Sequence, residues 1–132
     1  MGDPVRAFTV IALISLPTVM FGGFSLLRLL ASRGLSSFQR ESFRAGHAHA
    51  GVLLVLSLVY LDILSRSGLS VGLRWLGCVL LLVGVLAQSG GFFLHLAVGG
   101  PGRWSAGNSL SAAGGVLLAS AMLLLAVGVI IT

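Results

Sequence analysis

Four long runs of apolar residues, each closed by charged, glycine or proline positions, set the pattern of this chain. The runs cover about residues 7–30, 45–64, 75–98 and 107–131. A helix rises about 1.5 Å per residue, so about 20 residues cross a hydrocarbon core of about 30 Å. Each run reaches that length. The breaks between runs are short, which predicts neighbouring antiparallel helices. The pattern predicts an all-α fold: a four-helix transmembrane bundle, antiparallel and up-down, forming a single domain over residues 1–132.

Local signals refine this outline. Pro17 and Gly22-Gly23 interrupt the first run. A proline removes a backbone donor, so a kink is predicted there. The run is longer than the apolar core of a signal peptide and lacks a small-residue cleavage site, so it is read as a retained span. Ser36-Ser37-Phe38-Gln39 fits a capping box and predicts a helix starting at Ser36 that continues into the second run. Phe38 and Phe43 would then dip into lipid, while Arg40 and Arg44 reach water or phosphate. Gly99-Gly100-Pro101-Gly102 predicts a tight turn. Trp75 and Trp104 suit interface depth. Gly107, Ser111, Gly115 and Ala119 recur every fourth residue, a ridge that lets two helix backbones approach closely. Packing within the monomer is the expectation for this ridge, and a homo-oligomer seam is the alternative.

Composition agrees with the pattern. The chain is 57% hydrophobic and 8% charged, against about 25% charged in soluble domains. The lipid bilayer is the expected partner, and a bacterial plasma membrane the expected location. The net charge is +5 and every positive residue is arginine. These arginines are scattered between apolar runs, which suits headgroup anchors and not nucleic acid. Arg28, Arg33, Arg40, Arg44 and Arg103 fall at one end of the bundle, and Arg6, Arg66 and Arg74 at the other. The positive-inside rule then puts the first end in the cytoplasm and both termini outside. Cys78, alone in its type, can form no internal disulfide and reads as a packing residue.

The candidate chemistry is concentrated at that arginine-rich end. Arg44-Ala45-Gly46-His47-Ala48-His49-Ala50-Gly51 opens the second span. Ionisable groups are costly inside a membrane and therefore usually functional. Antiparallel connection brings His95, at the end of the third span, to the same end as His47 and His49. Gly84, Gln88, Gly91 and His95 share one helical face, with Gln88 about 10 Å deeper than His95. Arg44, His47 and Gly51 share another. On a regular helix His49 points about 200° away from His47, so the two cannot chelate one ion together.

Four readings compete. The histidines are structural, with no cofactor at all. Or haem b sits between one of His47 and His49 and His95, with Gly46, Ala48, Ala50, Gly51, Gly90 and Gly91 leaving room and Arg40, Arg44 or Arg103 pairing with propionates. Or copper or zinc binds two or three of His47, His49 and His95, all three only if the helix is unwound around Gly46. Or the histidines and Gln88 line a transport or channel path. No Ser–His–carboxylate grouping and no phosphate-binding glycine loop is present, so hydrolase and nucleotide readings fall away.

Arg44-x-x-His47-x-His49-x-Gly51 at a helix start resembles the R-x-x-H-x-H helix starts of membrane haem proteins related to haem–copper oxidase and nitric-oxide-reductase catalytic subunits. The resemblance implies an axial haem ligand at His47 or His49. It implies electron transfer, or an accessory role in a larger redox membrane complex. Those catalytic subunits have many more helices and further histidines, so no oxygen-reducing centre is implied. The whole chain also resembles small four-span membrane proteins of bacteria, which implies no activity. The expectation carried forward is haem b on His47 or His49 with His95, flanked by Arg44 and Gln88. Copper or zinc, cofactor-free transport and a purely structural subunit are the alternatives.

Overall fold

The computed structural model describes residues 2–32 and 34–131; Arg33, expected at the histidine end, lies outside them. Four helices build the fold: α1 (Val5–Ala31), α2 (Ser37–Ser65), α3 (Val71–Val98) and α4 (Ala106–Ile130). All four are long and apolar enough to cross a membrane. Among the described residues there is no strand beyond one isolated bridge between Gly100 and Arg103. The helices alternate in direction and form a four-helix bundle.

The helices outrun the apolar segments because side-chain caps start them early. At α2 the Ser36 hydroxyl accepts from the Gln39 N–H at 3.2 Å, and the Gln39 amide oxygen accepts from the Ser36 N–H at 2.9 Å. This is the expected capping box. The Ser70 hydroxyl accepts from the Leu73 N–H at 3.5 Å. Arg74 therefore lies in the first turn of α3, ahead of Trp75, where the apolar run opens. Ser105 and Asn108 form a second box at α4. Before it, the Arg103 N–H donates to the Gly100 carbonyl at 3.1 Å. Pro101 supplies the first central residue of this turn, and Gly102 the second, at φ 67°. A positive φ there is the type II requirement that glycine meets without strain. α1 continues through Pro17 without a break.

The tightest packing lies between α3 and α4. Gly107, Gly114, Leu118, Ala121, Leu125 and Gly128 are buried on α4, with Ser111 half-buried between the first two. Their spacing alternates four and three, the spacing of a knobs-into-holes seam. Opposite them run Gly84, Gln88, Gly91 and His95, the face that sequence spacing had grouped, with Gly77 further along α3. A methyl at Gly84 would come 2.8 Å from Leu118 Cγ, and one at Gly91 would strike the Gly107 carbonyl. The Ser111 hydroxyl donates to the Gln88 carbonyl at 2.9 Å. Gly107 and Ser111 are thus used within the chain. A methyl added at Gly115 would come 3.8 Å from Gln88 Oε1, and Ala119 is exposed. Tyr60, fully buried, ties α2 to this pair by donating to the Ala121 carbonyl at 3.1 Å.

α1 is the least enclosed helix. Ile14, Met20, Phe21 and Leu27 are exposed. At the terminal end of the bundle it is held by an ion pair of Asp3 with Arg74 at 2.8 Å and a bond from Trp75 Nε1 to the Gly2 carbonyl at 3.1 Å. Phe8 meets the Trp75 ring edge-on.

Candidate functional site

His47, His49 and His95 lie at the same end of the bundle, as the topology requires, but in three different interfaces. His47 turns to α1. Its ring lies over Gly23, where a methyl would come 2.8 Å from Nε2. His49 turns to α3 and stacks on Phe92 with ring centres 4.6 Å apart. Its Nδ1 lies 2.8 Å from the Ala45 carbonyl. A carbonyl accepts only, so Nδ1 carries a proton, which in a neutral ring leaves the lone pair on Nε2. His95 turns to the α3–α4 connection, with Nδ1 2.7 Å from the Ser105 hydroxyl and Phe38 edge-on against its ring. The separation of His47 from His49 follows from helical geometry on a regular α2. Among the described residues, no three His, Cys, Asp or Glu side chains converge on a metal position.

The glycines expected to make room for a macrocycle mostly serve helix contacts. Gly46 is covered by Phe92 and Phe93 at 3.1 Å from an added methyl, and Gly91 by the α4 backbone. Gly51 meets Val19. A flat group between His49 and His95 meets Phe92 first. Phe38 and Phe43, expected in lipid, pack instead on His95 and Phe93, because the early start of α2 lays these rings against α3. Gln88 belongs to the α3–α4 seam, where its side chain neighbours Gly115. It does not share an opening with His47.

The open space lies elsewhere. α1, α2 and α3 enclose a cavity of about 340 Å³, lined on one side by Phe8, Ile11 and Val19, and on the others by Ala50, Leu54, Leu82, Leu86 and Gly90. Four hydroxyls reach its wall, those of Ser15, Thr18, Ser57 and Ser89, and the three serines donate to their own helices: Ser15 to Ile11 at 2.8 Å, Ser57 to Leu53 at 2.7 Å and Ser89 to Val85 at 2.7 Å. The wall is therefore apolar apart from Thr18. Ile11 and Leu86 line the cavity and are also exposed, so it opens sideways between α1 and α3. Gly90 looks into open space, with nothing within 4 Å of an added methyl.

His47 stands at the histidine end of this cavity. Ala50 and Val19 close the lining there. His47 is three residues from Ala50 on α2, and its partners Gly22 and Gly23 are three and four residues from Val19 on α1. It therefore sits about one turn, roughly 5 Å, beyond the wall. No protein hydrogen bond satisfies its ring among the described residues. Arg44 lies one further turn out and is exposed. Sequence reasoning missed the cavity, since its lining is ordinary apolar span. Gly90 beside Gly91 was the one available signal.

No family model matches the chain, and comparison with curated proteins and with solved structures gives no match. Four apolar helices packed as a bundle define the class: an integral membrane protein.

Proposed function

We propose that this protein binds a small lipid-phase molecule, taken sideways from the bilayer into the cavity between α1, α2 and α3. The observation that carries the reading is the cavity itself. At about 340 Å³ it is far larger than a packing defect. Packed interiors hold few voids bigger than one water, and an apolar void of about 150 Å³ stays dry and accepts apolar guests. Ligand cavities span about 300–1,000 Å³, so this one suits a single chain or a small ring. The lateral opening supports entry from lipid. The test is saturable binding of hexadecanol to purified protein in nanodiscs. Gly90→Phe fills the cavity from its one open wall and should abolish that binding. Binding that is non-saturable, or unaltered by Gly90→Phe, overturns the reading.

A second reading, haem b, is favoured by one feature of His49. Its Nδ1–H is held by the Ala45 carbonyl, leaving the Nε2 lone pair free. Metal-ligating imidazoles are commonly held this way. In this reading His49 is the axial ligand and Arg44 a propionate partner, and Phe92 turns aside. A Soret band lost in His49→Ala supports it. A colourless protein purified with adequate haem supply sinks it.

A further inference from the structure

We infer that the molecule held in this cavity is a single-tailed amphiphile with an anionic carboxylate head, read by His47 and Arg44. The inference rests on the cavity reading above and adds the chemistry of the head. The walls offer a tail mostly methyl, methylene and ring surface, because Ser15, Ser57 and Ser89 spend their hydroxyl protons on their own helices, and among the described residues only the Thr18 hydroxyl is left to bond a guest. A charged head group therefore finds no charged partner inside the cavity. It must lie at an end or project into lipid.

The two ends differ. Toward the terminal end the cavity is closed by Phe8 and Leu61, and Leu61 is almost fully buried in the core. Most charged groups beyond it are already matched, Asp3 with Arg74 and Asp62 with Arg66, which leaves only Arg6 without an ion pair among the described residues at that end. Toward the histidine end the first ionisable side chain is His47, half-buried over Gly23 and without a hydrogen-bond partner among the described residues. Beyond it come Arg44 and Arg40 on α2 and Arg28 on α1. Among the described residues the carboxylate of Glu41 is the only acid at that end, and no ion pair involves it or these arginines. This end therefore carries surplus positive charge next to an unpartnered imidazole. An imidazole can donate to one carboxylate oxygen while an arginine takes the other, and charge-assisted bonds of this kind are about twice as strong as neutral ones. The volume of about 340 Å³ admits one tail and not two, which favours a long-chain acid over a phospholipid.

The experiment compares palmitate with hexadecanol, which share a tail and differ in the head. Both are titrated in nanodiscs of neutral lipid against the wild type, His47→Ala with Arg44→Gln, and Gly90→Phe. Palmitate is expected to bind about tenfold or more tightly than hexadecanol to the wild type, as a charge-assisted bond of about 1.5–3 kcal/mol implies. The double variant should erase that gap while hexadecanol binding stays, which also shows that its cavity is intact. Gly90→Phe should abolish both. Equal binding of acid and alcohol by the wild type, with both lost in Gly90→Phe, overturns the head-group inference and leaves the cavity reading standing. A gap that survives the double variant overturns the assignment to His47 and Arg44. Binding of neither probe, or binding insensitive to Gly90→Phe, removes the cavity reading and the inference with it.

Discussion

Neighbouring glycines in this chain have opposite roles that their sequence does not announce. Gly91 is buried against the backbone of α4, while Gly90 faces the cavity. Similarly, Gly114 meets the backbone of Gln88, and Gly72 has no neighbour. Replacing Gly114 with valine should therefore destabilise the purified protein by about 1–3 kcal/mol or more, the cost of overpacking where backbone cannot yield. Gly72→Ala and Gly90→Ala should leave thermal unfolding in detergent nearly unchanged. Equal losses at all three sites would refute the assignment. Tyr60→Phe removes one bond across the bundle and should cost about 0.6 kcal/mol, with an upper bound near 1.7, the range measured for hydrogen bonds between membrane helices. The histidines were legible as a group at one end, because topology alone fixes depth. Which helix each one faces was less so. Azimuth separates His47 from His49, but the partner surfaces, Gly23 and Phe92, come from other helices.

At the level of elements, the spans could be read from hydropathy and their starts from capping residues. Ser36 with Gln39 gave the start of α2, well ahead of the apolar run. The cap at Ser70 was missed and the third span was read from Trp75, since a lone serine among serines and glycines carries little signal. Ser36→Ala should cost about 1 kcal/mol and fray the first turns of α2, with faster amide exchange over residues 37–44. Unchanged exchange there would show that packing of Phe38 and Phe43 on α3 suffices to hold the turn. The small-residue ridge of α4 illustrates a different limit. Spacing identifies a close-approach face and not the helix that approaches. α3 supplies its own small residues at matching intervals, so Gly107 and Ser111 are used up inside the chain.

For the whole molecule, orientation follows from arginine placement. Arg28, Arg40, Arg44 and Arg103 mark the histidine end, and the positive-inside rule predicts that this end faces the cytoplasm. Cys78 is fully buried, and its replacement by alanine provides a background for labelling. A cysteine at exposed Ser36 should then react only after the membrane is permeabilised, and one at exposed Ser70 should react from outside. The reverse pattern overturns the assignment. The bundle itself was legible because the bilayer permits few alternatives for apolar segments of this length. The cavity was not, because an apolar residue that lines a void and one that fills it are written alike.

The loose seating of α1 has a consequence for how the protein is made. α1 leaves the ribosome first, yet the helix that forms the other side of its cavity comes third. Synthesis proceeds at about 5–20 residues per second, so the stretch from α1 to the end of α4 takes roughly 5–20 s. Through part of that time α1 rests in lipid as a nearly solitary helix. Asp3 waits for Arg74, and Gly2 for Trp75. The ion pair and the indole bond act as a latch that closes only once α3 has entered the membrane. In a nascent chain stalled before Arg74, the amides of residues 5–8 should therefore exchange faster than in the finished protein.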